Sequence, residues 1–124
     1  MSVPVPIDAL SAQLERYGPV AYVLTVSNDG RPHSVSVAVG LDGDDLVLSV
    51  GRTTAANAGA RPGVTLLWPP TALDPAYALI VDGTASVTTT DDGGDLRVTP
   101  TRAVQHRQAD ADPSAPSCVV VGAG

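Results

Sequence analysis

The residues best suited to chemistry lie in one short stretch, Leu48 to Asn57, which reads L-S-V-G-R-T-T-A-A-N. It follows a strand-like run and opens a short helix-like run. Thr53 and Thr54 bring hydroxyls, Arg52 brings a guanidinium, and a helix start brings free backbone amides. Such a start carries unpaired N–H groups and a partial positive charge, so it binds anions without a lysine. Arg52 adds a fork that matches a phosphate. The same residues also read as an ordinary capped helix, with Thr53 or Thr54 as N-cap. From the residues alone, phosphate contact and plain capping both stand.

Other candidates are weaker. Trp68 precedes Pro69-Pro70 at a strand end, where it stacks on a ring or plugs the barrel mouth. His33 starts a strand and reads as solvent-facing, with a polar cofactor contact as the other choice. His106, between Arg102 and Arg107, reads as part of a solvated edge. Asp82 in V-D-G-T reads as bulge chemistry rather than a general base. Tyr22 and Tyr77 read as core or interface residues. No Ser/His/Asp or Cys/His constellation assembles by spacing, and the catalytic residues stay unassigned. D-G-D-D at Asp42 to Asp45 lacks EF-hand spacing and is a turn. With two histidines and one cysteine, Cys118, no metal site is expected.

The composition narrows the classes further. The 124 residues suit one domain with a real core. The core must come from Val, Leu, Ala and Ile, because there is no Phe and only one Trp. A formal charge of −6 argues against nucleic-acid binding, which needs a basic face. All the basic residues are Arg, so neither a Schiff-base lysine nor a Walker lysine is available. No apolar run approaches the roughly 20 residues of a membrane span. The N-terminus lacks a signal-peptide pattern. The expectation is a cytoplasmic protein without membrane contact.

The elements that would position these residues are mostly strands. Ile7, Leu10, Leu14 and Tyr17 share one helical face, ended by Gly18-Pro19. Val20 to Ser27 is strand-like, and N-D-G at Asn28 to Gly30 marks a hairpin. Pro32 to Val39 alternates, with Val35, Val37 and Val39 on one face and Ser34, Ser36 and Ala38 on the other. Asp45 to Val50 and Val64 to Trp68 read as strands around a short helix at Thr53 to Arg61. Tyr77 to Thr90 is long for one strand, so Asp82-Gly83 should bend it. D-D-G-G-D at Asp91 to Asp95 turns into a strand at Leu96 to Gln105, where Pro100 implies an edge or a kink. Residues 109–117 read as a mobile loop, and Cys118 to Val121 as a last strand. Six strands at hairpin spacing with two small helices argue a closed antiparallel barrel.

The order of D-G-R-P-H, G-R-T-T-A-A-N, L-L-W-P-P and Y-A-L-I-V-D-G-T-A resembles the pyridoxamine 5′-phosphate oxidase-like split β-barrel family. The resemblance runs from about Leu10 to Val104. It implies a mostly β fold: a six- to seven-stranded antiparallel split β-barrel with two short helices. It further implies a homodimer with cofactor sites at the interface. FMN is the foremost cofactor implied and the deazaflavin coenzyme F-420 the alternative, while some branches bind FAD or haem. The phosphate position corresponds to Ser49 to Asn57, with Arg52, Thr53 and Thr54 as its ligands. The ring position corresponds to Val35, Ser36, Val37 and Leu48, with Trp68 also near the cofactor. Members often carry a lysine where Thr53 and Thr54 stand, and an arginine near Val35 and Ser36. Two cationic ligands are therefore missing.

Two functions follow from that resemblance. One is a flavin- or deazaflavin-dependent oxidoreductase that passes hydride to a small substrate; there the cofactor supplies the chemistry and few protein groups need show. The other is a non-catalytic split-barrel dimer that binds a ligand or has lost its cofactor, which the missing cations favour.

Overall fold

The computed structural model describes residues 2–107. The loop expected at 109–117 and the strand expected at 118–121 lie outside the described residues. In chain order the elements are β1 (Ser2–Pro4), a 3-10 turn (Ile7–Ala9), α1 (Leu10–Tyr17), β2 (Val20–Val26), β3 (Pro32–Ala38), β4 (Gly40–Asp42), β5 (Asp45–Gly51), α2 (Arg52–Ala60), β6 (Gly63–Trp68), β7 (Tyr77–Thr90) and β8 (Gly93–Arg107).

All eight strands join one antiparallel sheet. Its path runs β3-β2-β6-β7-β8-β5-β4, and β1 adds to β8. β3 and β5 approach each other without strand pairing. The barrel is therefore split along that seam, which corrects the closed barrel expected from strand spacing. β1 and β4 are the strands that the sequence reading did not separate; at three residues each they are too short to show alternation.

Period-two patterning builds the core. Val64, Leu66 and Trp68 of β6 face Leu79, Val81 and Ala85 of β7, and Leu96 and Val98 of β8 complete the layer. Trp68 is fully buried, and its indole N–H donates to the Gly18 carbonyl oxygen at 3.0 Å. The ring thus plugs the barrel end below α1. At the same end of α1, the Tyr17 hydroxyl donates to the Tyr77 carbonyl, and Gln105 donates to both Tyr17 and Asp74. Burial pushes the Tyr17 phenol above its ordinary pKa; the Gln105 hydrogen bond opposes this and the Asp74 carboxylate adds to it.

The bend in β7 falls where Asp82-Gly83 predicts it. Asp82 pairs with Arg102 and Gly83 with Pro100, which leaves Thr101 as the extra residue. The bulge lets Pro100 do without a ladder N–H, and it restores the inward parity at Ala103. A Cβ on Gly83 would come within 2.7 Å of the Thr99 carbonyl oxygen.

A second close approach sets the start of α2. Gly51 pairs with Gly93, and a Cβ on Gly93 would collide with the Val50 carbonyl oxygen. Backbone atoms cannot step aside as a flexible side chain would. Gly93→Ala should therefore separate β5 from β8 and lower stability by about 1–3 kcal/mol. Urea unfolding would read this as a lower midpoint; an unchanged midpoint would mean that the strands do not touch here.

Candidate functional site

β5 forms one wall of the seam. Alternation sends Leu46 and Leu48 into the core and leaves Ser49 exposed. Gly51, in an extended conformation, then turns the chain into α2. Gly51 is the N-cap, and no side chain caps the helix. The backbone amides of Arg52, Thr53 and Thr54, which have no partner inside the helix, are thus left without a side-chain cap. The expected Thr53 or Thr54 cap is corrected: the helix starts one residue earlier, so both threonines lie inside its first turn.

The opposite wall is β3. His33, Val35, Ser36 and Val37 face Ser49 to Thr54 across a cavity of about 360 Å³. Two cationic or titratable side chains line it, Arg52 and His33, and no carboxylate does. Thr54 is buried at 2% exposure, and its hydroxyl has no hydrogen-bond partner among the described residues. An anion suits that combination of free amides, an unpaired hydroxyl and a guanidinium.

Arg52 also spans the gap to the β7–β8 turn, where its Nη2 donates to the Asp91 carbonyl oxygen at 3.2 Å. Ser49 faces the other way, and its hydroxyl donates to Asp95 Oδ1 at 2.7 Å. Through Ser49 the seam adjoins a groove of about 610 Å³ on the outer face of β5, β8 and β7. Ser86, Thr88, Asp95 and Arg97 give that groove its polar lining. Arg97 is held there by Asp42 at 2.5 Å and Asp45 at 3.1 Å, and their hydrogen bonds hold its guanidinium pKa above the ordinary value.

Seven of the expected residues thus line one cavity: Val35, Ser36, Val37, Ser49, Arg52, Thr53 and Thr54. Three do not line it, and for Trp68 the placement is the plug that the sequence reading gave as one choice. The Leu48 side chain is in the core, because it shares parity with Leu46 rather than Ser49, and it borders only the outer groove. Trp68 is inside the barrel for the same reason of parity on β6. Asn57 shares the inward face of α2 with Thr54 and Ala58, and its Nδ2 donates to Thr25 Oγ1 at 3.2 Å. It locks the helix to β2.

His33 is the residue that the sequence reading placed in solvent. It is half-buried and lines the seam. Its signal was present in the alternation, since His33 has the parity of Val35 and Val37.

Asn57→Ala should leave the Thr25 hydroxyl buried without its donor. A loss of about 1–3 kcal/mol is expected, read as a lower urea midpoint. No change would show that the bond does not hold α2 in place.

Comparison with known proteins places these features in context. No protein-family model matches the chain. An uncharacterized protein of Mycobacterium bovis is 40% identical over 127 aligned positions, covering 91% of this chain and 86% of that one. An uncharacterized protein of Mycobacterium tuberculosis matches with the same identity and coverage. Among solved structures, an FAD-binding protein of Mesorhizobium loti superposes with a TM-score of 0.64 at 12% identity, over 85% of this chain and 95% of that one. An F420 reductase gives 0.59 at 19% identity, over 71% and 91%. A pyridoxamine 5′-phosphate oxidase-related, FMN-binding protein of Nostoc punctiforme gives 0.57 at 19% identity, over 68% and 49%. At these identities the structural likeness speaks for the fold alone.

Proposed function

We propose that this chain, which belongs to one family with these mycobacterial proteins and has the fold of the pyridoxamine 5′-phosphate oxidase-like split barrels, binds a phosphate-bearing flavin-type cofactor in the β3–β5 seam. The uncapped start of α2, facing Arg52 and the unpaired Thr54 hydroxyl, is the observation that carries this reading. FMN is the cofactor proposed first, and the deazaflavin coenzyme F-420 the alternative.

In this reading the amides of Arg52, Thr53 and Thr54 hold the phosphate, and the Arg52 fork closes over it. Val35, Ser36 and Val37 set the width of the seam from the other side. Ser49, at the junction with the outer groove, leads toward the space for a small substrate. The bound cofactor would supply hydride transfer, so the chain's own part is to bind, orient and exclude water. That makes the protein an oxidoreductase by proposal, with its substrate entering from the groove beside Asp95 and Arg97.

A homodimer belongs to the same proposal. Val20 and Tyr22 of β2 are 57% and 44% exposed, and Tyr22 lies in one row with Leu67 of β6 and Ile80 of β7. An outward apolar row on a chain of net charge −6 supports burial against a second copy. β3 borders both this face and the seam.

The second reading, a barrel that has lost its cofactor, is favoured by the seam's short supply of cations and by the bond that occupies Ser49. Titration of the protein with FMN and with riboflavin separates the two. Under the first reading FMN binds more tightly than riboflavin, and Arg52→Ala weakens FMN by tenfold or more, as loss of a charge-assisted hydrogen bond requires. Riboflavin affinity should not change. Equal binding of FMN and riboflavin, or none of either, would favour the second reading.

A further inference from the structure

We propose that protonated His33 is the second cation of the phosphate site, so that the seam's grip on a phosphate is tuned by pH. The inference rests on the phosphate reading of the seam and adds to it a residue and a mode of regulation.

The placement of His33 follows from sheet register. His33 of β3 pairs directly with Thr25 of β2, and paired residues in an antiparallel ladder point to the same face. Thr25 is buried and accepts the Asn57 hydrogen bond from α2. The imidazole therefore lies on the α2 side of the sheet, in the layer that Thr25 and Asn57 tie together. It lines the same cavity as Arg52, Thr53 and Thr54. No hydrogen bond among the described residues engages its ring, so the ring's N–H groups are available to a ligand.

The charges around it leave that role open. From α2, Arg52 is the charged residue on the cavity wall; from β5, Ser49, Val50 and Gly51 bring none. On β2 its neighbour is the neutral Thr25. Asp95 on β8 reaches the seam only through its hydrogen bond from Ser49. In the β2–β3 turn, Asp29 is paired with Arg31 and accepts from Ser27, while Arg61 is bonded to Val26 and Asn28. Without a carboxylate on the cavity wall, an anion is the natural counterpart of an imidazolium there. The buried Thr54 side chain lines the same cavity, and no hydrogen bond among the described residues engages its hydroxyl.

Histidine is the side chain that gains charge between pH 8 and pH 5. In this proposal a protonated His33 takes the place of a lysine, a residue absent from this chain. The phosphate monoester also titrates, near pH 6, so the informative quantity is the ratio of affinities between variants at each pH.

The test is fluorescence titration of wild type, His33→Gln and His33→Arg with FMN and with riboflavin, at pH 5.5 and pH 8. His33→Gln should weaken FMN by about tenfold at pH 5.5 and by no more than about twofold at pH 8, as expected for loss of a charge-assisted hydrogen bond. His33→Arg should bind FMN tightly at both pH values. Riboflavin should not distinguish the three proteins. A His33→Gln ratio that is the same at both pH values, or an unaltered FMN affinity in both variants, would overturn the role of His33 while FMN still outbound riboflavin. Wild type that binds FMN no more tightly than riboflavin would overturn the phosphate reading itself.

Discussion

The structure depends on the long β7–β8 hairpin and on the bulge that bends it. Three strands hang from the β7 side of this pair and three from the β8 side. A straight ladder of this length would carry the two halves apart. At Gly83, where the extra Thr101 enters opposite, the backbones come close enough to exclude a Cβ. The ladder bends, local twist increases, and strands β3 and β5 are brought face to face. The seam that results is thus a product of sheet curvature and not of any residue within it.

A split that never closes with hydrogen bonds leaves polar backbone available, and the helix that follows β5 makes use of it. α2 is pinned from below by small and buried side chains, Thr54, Ala55, Asn57 and Ala58, with Gly94 leaving room for Ala55. Its start is set by the glycine pair Gly51 and Gly93. Rigid strands and a buried Asn57–Thr25 bond therefore hold an uncapped helix end against an open cavity. Sites placed on such elements are positioned more tightly than sites on loops.

The electrostatics of the seam are spare. A chain with 13 acidic and seven basic residues keeps carboxylates off the seam wall and leaves Arg52 and His33 there. Most other arginines are committed elsewhere: Arg97 to Asp42 and Asp45, Arg16 to Asp74, Arg102 to Asp82. The proposed site would rely on amides, hydroxyls and one fork, with His33 as its second cation.

Much of this was legible in the sequence. Alternation in Pro32 to Val39, the N-D-G turn, the Gly-Pro and Pro-Pro stops and the Asp82-Gly83 bend placed the long elements, because each is a local property of the backbone. The phosphate-like stretch was also visible, since Arg52, Thr53 and Thr54 follow a strand directly. What the sequence alone did not decide was which faces meet. Leu48 and Trp68 turned inward, Asn57 became a buried clasp for Thr25, and His33 entered the cavity. Each of those outcomes depends on how far the sheet curls and which strands then face each other. Curl is a long-range result of the bulge and the glycine contacts, and local pattern carries no record of it.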